Sequence, residues 1–228
     1  DALLITKEGG IMCRLPSYPD SLNTQTTNAS VTLTPTGGAK IKASEISHLF
    51  QYESTAGITR LEPSHRKDYF RSGINLIQAN INNIQINEAK EVIPMIDIQY
   101  TVETEQYGNK TGNRLFIPAN IFRKGFTTPD LKQRVQDIHI NYGYLDTDSI
   151  CLQIPEGYTI ESLPKTCQVT SSFGSFSSSL MIKDKEICII HRLLMHRGIY
   201  PKDVYKDFLE FRKQIAAQYS SKIILKKE

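Results

Sequence analysis

A mainly β fold, antiparallel and sandwich-like with two short packed helices, follows from three features of the sequence. Apolar and polar residues alternate over most of the chain, turn residues punctuate the alternation at short intervals, and only two stretches carry helix signals. "ASVTLTPTGGAKIKASEISHLFQYE" reads as a hairpin, with a strand near Ser30–Thr34, the turn "PTGG" and a long strand near Ala39–Gln51. Pro63 opens a helix in "LEPSHRKDYFRSG" and Gly73 closes it. "NINNIQINE" and "PMIDIQYTVETEQYG" are two further strands, and a turn through Gly108, Asn109 and Gly112 leads into a short strand around Arg114–Ile117. "RVQDIHINYGYLDTDSICLQIP" reads as two strands with "YLDTDS" as the turn between them. "TCQVTSSF" and "SFSSSLMIKDKEICIIHRLLMHRG" supply three more, turning at Gly174 and at "KDKE". The second helix begins at Pro201, and Val204, Phe208, Phe211, Ile215 and Tyr219 give it one apolar face. "KIILKKE" is a closing strand.

The 228 residues are enough for one large domain or two small ones, and 39% hydrophobic content fits a folded core. Turn residues and charge cluster at 122–133, which places a division near 124: a strand and linker over 1–23, a β-rich subdomain with one helix over 24–124, and a sandwich-like subdomain with one helix over 125–228. The net charge of +3 is too mild, and its basic residues too scattered, for a nucleic-acid surface. No apolar run approaches the roughly 20 residues that span a bilayer, so the chain reads as not membrane-spanning. It opens on "DALLIT" with no Met, and we read it as a fragment of a longer protein.

No segment carries the signature of a catalytic centre. Gly174-Ser175-Phe176-Ser177-Ser178 lacks the second glycine of a nucleophile elbow, and a strand follows it where that elbow needs a helix. Cys13, Cys151, Cys167 and Cys188 are far apart in sequence with no C-x-x-C, which excludes the usual zinc and redox spacings. A thiol enzyme would need one of them beside His48, His65, His139, His191 or His196, yet each cysteine falls on a strand rather than at a helix N-terminus. His191 and His196, five apart, face opposite sides of a regular strand. Asp146–Ser149 begins like a calcium loop, but the glycine and glutamate of that loop are missing, so it reads as a polar turn. There is no phosphate loop, so no cofactor and no metal is expected. Asn28-Ala29-Ser30 and Asn109-Lys110-Thr111 match N-glycosylation sequons. Tyr107, Lys110, Asn113 and Arg114 cluster at one loop as a candidate contact surface, set against an ordinary solvated turn in which Arg114 covers apolar surface.

The order "IPEGY", "ESLP", "FGSFSSS" and then "GIYP" opening a helix, with "YGNKTGNRLFIP" upstream, resembles the C-terminal β-rich domain of unknown function that follows the core of Bacteroidetes transglutaminase-like proteins. The opening "ALLITKEGG" is similar to the strand that leaves that core. The resemblance implies a non-catalytic accessory or interaction domain, with the Cys-His-Asp enzyme lying upstream in the same chain as its first partner. It also implies export to the periplasm or cell surface, where a cell-envelope protein or glycan is a further partner. In that setting the cysteines can oxidise; Cys167 with Cys188 is the pair to test, and Asp148-Ser149-Ile150 is similar to the O-glycosylation signal of such bacteria. Two other readings stand beside it: a glycan-binding β-sandwich, which needs exposed tyrosines on a concave sheet face, and a thiol enzyme with its own Cys-His site.

Overall fold

The structure is a computed structural model and describes residues 2–13, 18–76, 78–124, 128–129, 131 and 134–228. Its strands in chain order are β1 (Ala2–Thr6), β2 (Gly9–Cys13), β3 (Thr24–Leu33), β4 (Ala39–His48), β5 (Asn80–Ala89), β6 (Met95–Thr104), β7 (Asn109–Thr111) and β8 (Arg114–Pro118). They continue with β9 (Ile138–Ile140), β10 (Tyr144–Gln153), β11 (Tyr158–Ser162), β12 (Cys167–Ser171), β13 (Gly174–Lys183), β14 (Glu186–Met195), β15 (Gly198–Tyr200) and β16 (Lys222–Lys227). Three helices join them: α1 (Phe50–Thr55), α2 (Pro63–Gly73) and α3 (Tyr205–Tyr219). The mainly β, antiparallel expectation holds, and α2 has the bounds that Pro63 and Gly73 set.

Eight strands form one sheet in the order β12-β13-β14-β10-β3-β4-β6-β5. All neighbours are antiparallel except β3 and β10, which run parallel with Thr27 opposite Asp148. That pair fuses four strands from each side of residue 124 into a single sheet. The stretch 122–133, where the division was expected, lies partly outside the described residues.

One face of this sheet is covered and the other is open. A four-stranded sheet, β11-β16-β8-β7, packs over one half through Leu115, Ile117, Ile223 and Leu225, with Phe70 of α2 in the same cluster. α3 covers the other half, its Tyr205, Phe211, Ile215 and Tyr219 packing on Phe173, Phe176 and Leu193. The expected apolar face of this helix is realised from Phe208 onward; Val204 belongs to the 3-10 turn that precedes it, and Leu209 joins the buried set.

The open face alternates with the covered one, as the pleat requires. It presents Thr26, Asn28, Ser30 and Thr32 from β3, Lys42 and Ser44 from β4, Gln99 and Thr101 from β6, and Ser177 and Ser179 from β13. The serines of "FGSFSSS" are thus mostly outward strand residues. Gly174 has a structural reason: its φ is +149°, and a Cβ there would lie 1.9 Å from the Leu194 carbonyl oxygen.

The reading of "YLDTDS" as a turn is corrected. β10 runs unbroken through it, and the chain bends earlier, at Asn141–Gly143. Asp146 and Asp148 sit two apart on the covered face, where Lys124 and the hydroxyls of Thr27 and Tyr219 offer partners. Burial of paired carboxylates thereby replaces the exposed turn that their polarity suggested.

The disulfide expectation is corrected as well. Cys188 is bonded to Cys151, and Cys167 is free. Cys151 and Cys188 lie directly opposite on neighbouring strands, with Cα atoms 4.0 Å apart, on the open face. Cys167 lies on β12, separated from β14 by β13, and packs on the covered face. Two inter-strand steps of about 4.8 Å and opposite side-chain directions keep it from Cys188.

Candidate functional site

The covered face holds a row of polar residues that crosses the sheet, one per strand: Glu45, Thr27, Asp148, His191, Ser178 and Cys167. The row runs between the two apolar clusters and is inaccessible at its centre, where Asp148 is 0% and His191 1% exposed. Register sets it: each residue is the Cα partner of the next, so the sequence separation of up to 121 residues is closed by strand pairing alone.

Lys124 reaches the row from the segment after β8. Its ammonium lies 3.1 Å from Asp148 Oδ1 and 3.5 Å from Asp146 Oδ2, and it donates to Gln25 Oε1 at 3.2 Å. Asp148 also accepts hydrogen bonds from the hydroxyls of Thr27 and, at 2.5 Å, Tyr219. Gln51 donates to Asp146 Oδ1 at 2.7 Å. Gln25, Ser47 and Thr55 all donate to Glu45 Oε1, at 3.1, 3.2 and 3.4 Å.

Burial sets the protonation of these groups. It pushes the Asp146 carboxyl up to about 6, against the pull of Lys124. It raises Glu45 too, with Lys124 and two hydroxyl donors offsetting only part of the effect. Burial alone would lower Lys124, but Asp148 and Asp146 more than compensate and hold it above its ordinary value, so it stays charged. His191 is driven down to about 4 by burial and is neutral at pH 7.

Asp148, His191 and Ser178 are the three residue types of an acyl-transfer triad on adjacent strands. The bonding of a triad is missing: neither His191 nitrogen has a hydrogen-bond partner, and the ring lies against Phe176 and Tyr219, with centroids at 5.8 and 4.6 Å. The thiol reading fares similarly. Cys167 and His191 are two strands apart, about 10 Å by strand spacing, and burial raises the Cys167 pKa away from a reactive thiolate. His48 bonds Thr24 at 2.9 Å and His196 pairs with Asp20 at 3.5 Å, whereas His65 and His139 are exposed.

The predicted surface cluster divides into one buried and three exposed residues. Tyr107 is 4% exposed, with its hydroxyl on the Pro118 carbonyl at 3.4 Å. Arg114 makes a two-pronged pair with Glu161 at 2.6 and 2.7 Å, where covering of apolar surface was the alternative. Lys110 and Asn113 are exposed, and the Asn113 carbonyl accepts from the Lys227 amide. None of the eleven tyrosines lies on the open face of the large sheet. Among the described residues one set of metal-capable groups converges, Cys151, Glu186 and Cys188, and its two sulfurs are joined to each other.

Residues 113–225 match the model of a family described as a domain of unknown function with a solved structure, DUF3858. The crystal structure of a "putative protease" from Parabacteroides distasonis is similar over 89% of this chain and 99% of that one, at 5% identity and a TM-score of 0.40. A score that low carries no argument about this chain. No curated protein matches the sequence. Among the described residues no helix is long and apolar enough to cross a membrane.

Proposed function

We propose that this chain is a non-catalytic interaction domain of an exported protein with a transglutaminase-like core. The observation that carries the reading is the division of labour between the two faces of the large sheet. The carboxylates of Glu45, Asp146 and Asp148 and the Lys124 ammonium are turned inward and engaged with protein partners, while the open face offers a broad field of Ser, Thr, Asn and Gln side chains from four strands. Such a surface recognises through many weak polar contacts rather than through a reactive group. The Cys151–Cys188 bond supports an oxidising compartment, where disulfides persist.

The test is direct. The transglutaminase-like core of the parent protein and this chain are produced separately, and their association is measured by calorimetry. Arginines introduced at Asn28, Ser30 and Gln99 on the open face are expected to weaken association without lowering the melting temperature. A parent protein with no such core, or association indifferent to all three substitutions, would sink the proposal.

A further inference from the structure

A cavity of about 370 Å³ opens where the polar row ends at Glu45. Glu45 on β4 and Lys124 line it. Tyr69 and Phe70 from α2, Tyr100 from β6 and Thr55 line it as well. Phe70 and Tyr100 are stacked with centroids 4.4 Å apart, so the two rings form a fixed aromatic pair.

The charged side chains lining the cavity are Glu45, Lys124 and Arg123, and neither cation forms an ion pair with Glu45 among the described residues. Lys124 is committed to Asp146 and Asp148, two carboxylates for one ammonium. Glu45 makes no ion pair among the described residues, and its three donors all bind Oε1. Among the described residues Oε2 therefore has no hydrogen bond, and Glu45 lines the cavity. A cation seated on this oxygen would favour the ionised form of Glu45 against the upward push of burial, and the aromatic lining suits the same kind of group. The ring faces attract a cation through their quadrupole, and the carboxylate supplies the counter-charge.

We propose that this cavity binds a compact organic ammonium group, seated on Glu45 Oε2 and enclosed by Tyr69, Phe70 and Tyr100. Arg123, an exposed residue of the lining, makes the site unfavourable to a second positive charge, so the ligand carries its cation at one end only. The inference is independent of the interaction role proposed above, because the cavity lies on the covered face and the recognition surface on the open one.

Choline and n-butylammonium are the probes, and 3,3-dimethyl-1-butanol is the neutral counterpart of choline. Binding to the full chain is followed by NMR chemical-shift titration. Both cations are expected to saturate shifts of Tyr69 and Tyr100, and the neutral alcohol to bind at least tenfold more weakly. Glu45→Gln keeps the donors' partner and removes the charge; a charge-assisted contact of about 1.5–3 kcal/mol corresponds to a loss of roughly ten- to hundredfold. Tyr69→Ala changes an exposed residue of α2, keeps the fold, and is expected to weaken both cations several-fold. Equal binding of the alcohol and choline, or no shift with either cation up to tens of millimolar, overturns the assignment. So does a Tyr69→Ala variant that binds like the parent, which keeps the test decisive even where Glu45→Gln fails to fold.

Discussion

Lys124 is the residue whose removal most directly tests the account of the polar row. Its side chain is 12% exposed, and it serves Asp148, which is fully buried, and Asp146, which is 10% exposed. At 3.1 Å and an effective dielectric of about 20, the Lys124–Asp148 attraction alone is on the order of 5 kcal/mol. Part of this is recovered in a Lys124→Met variant, since Asp148 keeps the hydroxyls of Thr27 and Tyr219 and Asp146 keeps Gln51. The expected loss of folding stability at pH 7 is therefore about 3–4 kcal/mol, within the range for breaking a buried pair from one side. Urea denaturation followed by circular dichroism measures it. Lys124→Met combined with Asp146→Asn and Asp148→Asn removes both stranded charges, and this triple variant is expected to be more stable than the single one. A single variant within about 0.5 kcal/mol of the parent, the scatter of ordinary surface changes, would refute the idea that the carboxylates depend on this ammonium. A triple variant no better than the single would do the same.

Other outcomes follow from the same geometry. Reducing Cys151–Cys188, or replacing both residues with Ala, is expected to lower stability by about 4 kcal/mol from loop-closure entropy for a separation of 37 residues; non-reducing peptide mapping of a Cys167→Ser variant should still show the bond. Asp146 is raised from 3.8 to about 6 in the fold, so it binds its proton more tightly when folded, and its contribution to stability falls as pH rises from 4 to 6. His191, lowered from 6.5 to about 4, acts in the opposite sense: its contribution is present above pH 6.5 and is lost as pH falls toward 4. His191→Phe, which also deletes two unpartnered nitrogens, should stabilise the protein by about 1 kcal/mol and make acidification between pH 6.5 and 4 stabilising, read from denaturation midpoints. Gly174→Ala forces a side chain onto the Leu194 carbonyl at a positive φ and should destabilise by more than about 2 kcal/mol. Ser177→Ala on the open face should leave stability unchanged within about 0.5 kcal/mol.

Local signals in the sequence determined the individual elements. Pro63 and Gly73 bound α2 because proline fits a helix start and glycine a helix end. The alternation in "SFSSSLMIKDKEICIIHRLL" set β13 and β14 and the outward direction of Ser177 and Ser179, because a strand's faces are fixed by a period of two. The same period was present in Asp146-Thr147-Asp148, where it placed both carboxylates on one face, but polarity made the segment read as a turn. Which strands became neighbours is another matter. The parallel pairing of β3 with β10 joined residues 121 apart and created the row from Glu45 to Cys167, and nothing local encodes a partner at that distance. Pairing also chose Cys151 over Cys167 for Cys188, since a disulfide needs adjacent strands and a shared face. The sequence by itself therefore determined most of the strands, the bounds of α2 and the direction in which their residues point, but not α1 or the strand through Asp146–Ser149. Only the tertiary structure decided which of those residues meet, because strand order is settled by burial of the whole sheet's apolar face and not by any one segment.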